Sequence, residues 1–275
     1  MAASGIPVLN YHAIDDTDNI NSSHNVSVSL AAFKEQINWL HKEGYKTVTN
    51  EELNDLLFHK KKTPGKHVLI TFDDGYFSLH KHALGILSDY GYTATLFLST
   101  SFIGNSYNQN DFEFVKHDRQ LTWSEIRELS SNGWTIQSHG YTHTRMTHLD
   151  IPSITKEVTL SKNIIEQNLS KPVDSFAFPY GIYNKAVIDQ LKIAGYSSAY
   201  TVHSGKLYPS VKRFQIPRIE INNTDNMDSY KIKVLTGYTS ATNGIRAKIR
   251  DIAFANPSVK DLIEKWAHRM GYGNR

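Results

Sequence analysis

Four times in this chain a polar, helix-like stretch ends in glycine, an aromatic residue follows, and a short β-rich run begins. Gly44-Tyr45 precedes residues 46–49, Gly91-Tyr92 precedes 93–98, Gly133-Trp134 precedes 135–138, and Gly195-Tyr196 precedes 197–201. A glycine just past a helix can take the left-handed conformation that caps the last carbonyls, and the aromatic then opens the next strand. Start signals sit upstream. Ser29 precedes a helical pattern over 30–43, Asn50 one over 51–58, and Thr122 one over 123–131, each with a side-chain oxygen able to accept from an unpaired backbone N–H. Further strands are expected over 6–11, 68–72, 134–138 and 175–178, with a late one over 214–221. Strands alternating with helices imply parallel βαβ units, as an open sheet or a barrel, and in both the functional residues collect at the carboxyl ends of the strands.

The chain has 275 residues, 40% of them hydrophobic, and a net charge of +3. That composition excludes an intrinsically disordered chain, and no apolar run approaches the ~18 residues of a membrane-spanning helix. The mild basicity gives no reason to expect nucleic acid as a partner. Cysteine is absent, which removes disulfides, thiolate metal sites and a cysteine nucleophile. Residues 1–5 lack the apolar core of a signal peptide and read as an artificial start, compatible with a leader removed upstream. The alternation places one domain over 6–222, with 105–119 as an inserted polar loop. Residues 223–275 are expected to form a basic, partly helical appendage.

The strongest chemical signal is Thr71-Phe72-Asp73-Asp74-Gly75-Tyr76, directly after an apolar run. Consecutive side chains of a strand point to opposite faces, so adjacent aspartates share a pocket only where the strand ends and Gly75 lets the chain turn. Paired carboxylates there suit a division of labour, one holding a metal and the other taking a proton; the plainer reading is a solvated turn. The second signal is Ser138-His139-Gly140-Tyr141-Thr142-His143, again after a strand. Histidines four apart can ligate one ion, although a chain with 13 histidines contains such pairs by chance. His59, His80, His82, His117, His148 and His268 read as surface or helix residues. Two imidazoles and one carboxylate make an open three-ligand site with room for an activated water.

Together these motifs resemble the polysaccharide deacetylase (NodB-homology, carbohydrate esterase 4) family. A third block, Phe176-Ala177-Phe178-Pro179-Tyr180-Gly181, is similar to that family's Pro-Tyr-Gly segment, and the stretch from Leu121-Thr122-Trp123 to Gly133-Trp134 to its lead-in. The resemblance spans roughly residues 6–221. It implies a distorted (β/α) barrel, α/β in class, that hydrolyses N-acetyl groups on a sugar polymer. Asp74, His139 and His143 would hold a divalent metal, with Asp73 as general base, the Tyr180 backbone N–H facing the oxyanion, and Pro179 and Tyr180 lining the substrate. Zinc heads the candidate metals on ligand grounds, with nickel and cobalt also acceptable.

Two departures narrow the resemblance. Ala177 stands where the third motif usually has arginine, and the late Leu-x-His motif is missing. The first strand instead ends in Asn10-Tyr11-His12, and a late block reads Ile216-Pro217-Arg218-Ile219-Glu220. Both look like the biofilm branch, which deacetylates poly-β-1,6-N-acetylglucosamine. That branch implies His12 as general acid and Arg218 beside Asp73; a core histidine and a surface ion pair are the plain alternatives, and His203 is the fallback acid. The resemblance further implies a secreted or cell-surface protein acting as a monomer. Other classes remain: a peptidoglycan or chitooligosaccharide deacetylase, or an inactive carbohydrate-binding relative. In the tail, Arg246, Lys248, Arg250, Lys260, Lys265, Arg269 and Arg275 outnumber Asp251, Asp261 and Glu264. With interspersed apolar residues this suggests either ordinary helices or a surface for an anionic cell envelope.

Overall fold

Each of the four glycine–aromatic joints is a turn in which the glycine takes positive φ: 75° at Gly44, 65° at Gly91, 85° at Gly133 and 82° at Gly195. A Cβ would meet nothing within 4 Å at Gly44, Gly91 or Gly195, so backbone conformation alone selects the residue there. The aromatic that follows is buried in every case, which anchors the start of the next strand.

The computed structural model describes residues 5–16, 26–58, 65–104 and 118–238. The elements in order are β1 (Val8–Tyr11), β2 (Ala13–Asp15), β3 (Ser27–Ser29), α1 (Leu30–Lys42), β4 (Tyr45–Thr47), α2 (Asn50–Phe58), β5 (Lys66–Asp73) and α3 (Leu84–Asp89). They continue with β6 (Thr95–Leu98), α4 (Trp123–Ser131), β7 (Thr135–Ser138), α5 (Ile151–Leu169), β8 (Ser175–Ala177), α6 (Lys185–Ile193), β9 (Ser198–Tyr200), β10 (Ile219–Glu220) and α7 (Met227–Thr236). A π-helical turn, Leu79–Ala83, leads into α3.

The main sheet runs β10-β1-β5-β6-β7-β8-β9, all parallel, with β4 beside the first residues of β5. Its ends meet through one segment: Ile216 bridges Tyr200 of β9, and Ile219 pairs with Leu9 of β1. The sheet therefore curls into the expected distorted (β/α) barrel. The late strand is shorter than its sequence suggests because Pro217 cannot donate to a ladder and the chain changes partner there.

Alternation along the strands separates two cores. Leu9, Tyr11, Ile70, Phe72, Leu96, Leu98, Ile136 and Phe176 face outward into the helices. Val8, Leu69, Phe97, Ala177, Tyr200 and Ile216 face the barrel axis. Asn10, Thr71, Asp73, Thr95, Gln137 and Ser175 share that inner face by register and are buried. A barrel with this much polar lining on its inner face is built to present groups rather than only to fill space.

The helix starts follow the caps with one correction. Ser29 accepts from Ala32 N at 3.1 Å, and Thr122 forms a capping box with Glu125. Asn50 does not cap α2. Its side chain turns inward, donating to Ser175 Oγ and accepting from Tyr200 Oη, while Thr49 and Glu52 form the reciprocal pair at the helix start. The described part of the expected appendage, through residue 238, folds onto the barrel. Trp39 and Tyr230 meet edge-on at 5.8 Å, and Lys233 Nζ donates to Glu220 O and to Asp225 Oδ2. Residues 105–117 of the expected loop and the tail from 239 lie outside the described residues, as do His59, His117 and His268.

Candidate metal centre and active site

β5 delivers Asp73 to the inner face and then stops. Asp74 has φ 72° and Gly75 φ 84°, so two successive left-handed residues swing the second carboxylate back over the barrel mouth. The sequence assigned this turn to the glycine alone; the aspartate itself carries half of it. Gly75 is required twice, since a Cβ there would also lie 2.7 Å from Leu98 Cδ2. The buried Gln120 amide, oriented to donate, reaches Asp74 O at 2.7 Å and Gly75 O at 3.1 Å and so fixes the turn.

His139 follows β7 and His143 closes the loop after it. His139 Nδ1 lies 2.8 Å from the Ala177 carbonyl, which sets that nitrogen as the donor and leaves Nε2 as a lone pair facing the carboxylates. Nε2 lies 3.6 Å from Asp74 Oδ1, and His143 Nε2 lies 3.4 Å from the same oxygen. His143 also has positive φ, 55°, a strained setting that its loop must hold. The holder is Glu157 of α5, whose Oε2 accepts from the backbone N–H groups of Tyr141 and Thr142, each at 2.9 Å. Its Oε1 accepts from Thr142 Oγ1 at 2.6 Å. Sequence reasoning missed Glu157, although a signal existed: a carboxylate sits on the buried stripe of α5 with Ile154, Val158, Ser161 and Ile165.

Arg218 enters from the segment ahead of β10 and is fully buried. Its Nη1 and Nη2 each donate to Asp73 at 2.7 Å, and Nη1 also donates to Asn10 Oδ1 at 3.0 Å. Burial works against the Asp73 charge, but Arg218 and then His139 more than offset it and hold the carboxyl well below the usual range. Asp74 behaves oppositely, with burial raising it against the pull of His12 and His139. Burial pushes both His139 and His143 down to about 4, so both imidazoles are neutral at pH 7.

His12 follows β1 at the same rim, close enough for its charge to act on Asp73, Asp74 and His143. Its Nδ1 is buried and has no hydrogen-bond partner among the described residues. Tyr180, after β8, has φ 58° and stands 42% exposed, its ring 4.7 Å from that of His143; Pro179 beside it is buried. His203 is exposed after β9, its ring 6.0 Å from Tyr183. Three of the four non-glycine residues with positive φ among the described residues, Asp74, His143 and Tyr180, therefore border one pocket. The fourth, Ser170, caps α5.

The donor set fits a divalent ion. One carboxylate oxygen of Asp74 and one nitrogen from each of His139 and His143 lie within 4.8 Å of one another, all buried. Asp74 Oδ1 is buried without a hydrogen-bond partner among the described residues, a costly state that a cation would relieve. Two neutral imidazoles and a carboxylate are an N/O set suited to a borderline divalent metal.

The barrel, an Asp–His–His cluster that could hold a metal ion and the buried aspartate–arginine pair together have the layout of a deacetylase-type hydrolase site. The chain belongs to the polysaccharide deacetylase family, whose model matches residues 60–199. YxkH of Bacillus subtilis, named for the same family, is 28% identical over 217 residues, covering 79% of this chain and 71% of that one. The poly-β-1,6-N-acetyl-D-glucosamine N-deacetylase of Staphylococcus aureus is 26% identical over 251 residues, covering 84% and 82%. Among solved structures, the deacetylase PplD of Streptococcus pyogenes superposes with a TM-score of 0.74 at 23% identity, over 84% of this chain and 98% of that one. IcaB of Ammonifex degensii gives 0.70 at 22%, over 83% and 94%, and both share the fold. The chain is thus an N-deacetylase by family, a hydrolase acting on a polysaccharide. No helix among the described residues is long and apolar enough to cross a membrane.

Proposed function

We propose that this chain removes N-acetyl groups from poly-β-1,6-N-acetyl-D-glucosamine, the polymer of a biofilm matrix, outside the cell. The observation that carries this reading is the pairing of Arg218 with Asp73 at 2.7 Å on two nitrogens while His12 stands at the same rim. That arrangement supplies a base, its positioning cation and a candidate acid from the two segments that look like the biofilm branch.

Asp74, His139 and His143 would hold the ion, zinc first, with nickel or cobalt as alternatives. Such an ion supplies a Lewis acid and acidifies water at the site. Asp73, kept ionised by Arg218, accepts the proton of the attacking water. The Tyr180 N–H meets the developing oxyanion, and left-handed backbone at that residue is the kind of strain found where a donor must be aimed. Protonated His12 gives its proton to the leaving amine nitrogen, since an amide expels an unprotonated amine poorly. Pro179 and the Tyr180 ring border the sugar. A matrix polymer lies outside the cell, so the reading implies secretion or a surface location, and the basic residues between 244 and 275 would suit an anionic envelope.

Acetate release from β-1,6- and β-1,4-linked N-acetylglucosamine oligomers, with and without chelator, tests the proposal. Chelator-sensitive release favouring the β-1,6 series is expected. Preference for the β-1,4 series would transfer the enzyme to peptidoglycan or chitin oligomers.

A further inference from the structure

Two charged side chains at the barrel mouth take no part in the chemistry above. Glu220 ends β10 between Ile219 and Ile221, both buried against the outer helices. Alternation therefore turns Glu220 the same way as Arg218, toward the barrel axis, one step nearer the mouth. There it is exposed, beside β1 and in register with Asn10, two residues before His12. Arg145 lies two residues beyond His143 and is exposed, its guanidinium 4.8 Å from the centroid of the Tyr180 ring. That ring in turn sits 4.7 Å from the ring of His143. Among the described residues neither Glu220 nor Arg145 has an oppositely charged side chain within 4.0 Å. The loop carrying Arg145 leaves β7, three strands from β10 one way round the ring and four the other. The two charges thus stand on different sectors of the barrel rim, the anionic one on the strand beside β1, which leads to His12, and the cationic one over the Tyr180 ring.

We propose that the mouth is a polarised reader of amino-sugar charge, with Glu220 accepting the ammonium of a glucosamine unit on one side of the reacting sugar and Arg145 disfavouring one on the other. This rests on the deacetylase reading and adds to it a direction along the polymer. Every turnover converts a neutral acetamide into an amine that is cationic near neutral pH. The product of one event is therefore the charged neighbour of the next. A polymer lying across the triad can carry that charge toward Glu220 or toward Arg145, and only the first is favourable. Charges in a cleft with low-dielectric walls act more strongly than on open surface and weaken with salt.

Three trisaccharides with a central N-acetylglucosamine test this: one fully acetylated, and two with a single glucosamine on the reducing or the non-reducing side. At low salt the two isomers should differ about tenfold in kcat/KM for release of the central acetate, with the gap closing as salt rises toward 1 M. Glu220→Gln should lower the favoured isomer toward the fully acetylated reference, and Arg145→Gln should raise the disfavoured one. Glu220→Asp and Arg145→Lys, which keep the charges, should preserve the order, and metal content should be unchanged in all four. Equal rates for the isomers, or a ratio that neither neutralising variant moves, overturns the inference while leaving deacetylation intact. Absence of acetate from all three trisaccharides overturns the deacetylase reading for this polymer and the inference with it.

Discussion

Asp73 and Asp74 are the same residue type one position apart, and their surroundings separate them. Asp73 is clamped by two guanidinium nitrogens, whereas Asp74 faces two imidazoles and leaves an oxygen without a hydrogen bond. Replacing Asp74, His139 or His143 by alanine should therefore empty the metal site as well as stop turnover. Asp73→Asn should keep the metal and lose turnover, because an amide cannot take the water's proton. Metal analysis beside acetate release separates the two outcomes, and full occupancy in all three alanine variants would end the ligand assignment. His12 has a different signature. His12→Ala should keep the metal and slow amide cleavage by ~10²–10⁴-fold, while an activated ester, whose leaving group needs no proton, loses far less. Equal losses on both substrates would make His12 a structural residue. These residue types were legible in the sequence because each stands at a strand end in a recognisable motif. Arg218 was legible only through its resemblance, since nothing in local spacing announces a partner 145 positions away.

Elements read well where a local rule decided them and poorly where tertiary structure did. Ser29 and Thr122 start helices as their side chains suggest, and the glycine–aromatic joints fall at the ends of helices. Asn50 reads as a cap by type, yet the barrel needs its amide to satisfy Ser175 and Tyr200, and Thr49 takes the capping work instead. The paired strands β2 and β3 are three residues each, too short to show a period. Helix α5 is the one that reaches the candidate site through Glu157, which holds the loop on which His139 and His143 ride. Glu157→Gln retains an acceptor but not the charge, and Glu157→Ala leaves two backbone donors unpaired. Metal affinity should fall about 10–100-fold in the alanine variant, as for other groups that orient ligands, and less in the glutamine one. Titration with a metal-competing dye checks this, and unchanged affinity in Glu157→Ala would show that the loop holds its shape without α5.

At the scale of the whole molecule the Asp74–His139–His143 cluster, which could hold a metal, spans the ends of β5 and β7 across β6, so an ion bound there would couple the site to the stability of the fold. Buried neutral histidines give the metal-free protein a pH dependence of definite sign. The folded-state values of about 4 for His139 and His143 lie below the ordinary 6.5, so the unfolded chain binds more protons between these limits. Stability is then fully present above about pH 6.5 and falls as the pH drops toward 4, by at most on the order of 3 kcal/mol per histidine. Asp73, also held low, pushes the same way at more acid pH, and Asp74, raised by burial, opposes it. Urea midpoints of chelated protein at pH 7.5 and 5 should show the fall, and His139→Gln should reduce it; equal midpoints would mean the imidazoles are solvated.

Adding the ion should act in the opposite sense, because a ligand that binds the folded chain and not the unfolded one stabilises by mass action. At a free concentration of a hundred times Kd the gain is about 2.7 kcal/mol, which for a domain of this size is a rise in Tm of about 5–10 °C. The rise should vanish in His139→Ala and in Asp74→Ala and persist in Asp73→Asn, Glu220→Gln and Arg145→Gln. A shift of equal size in His139→Ala would mean that the ion stabilises from somewhere other than the triad. A shift in wild type that disappears in Asp73→Asn would make both aspartates ligands and leave the base to be found elsewhere.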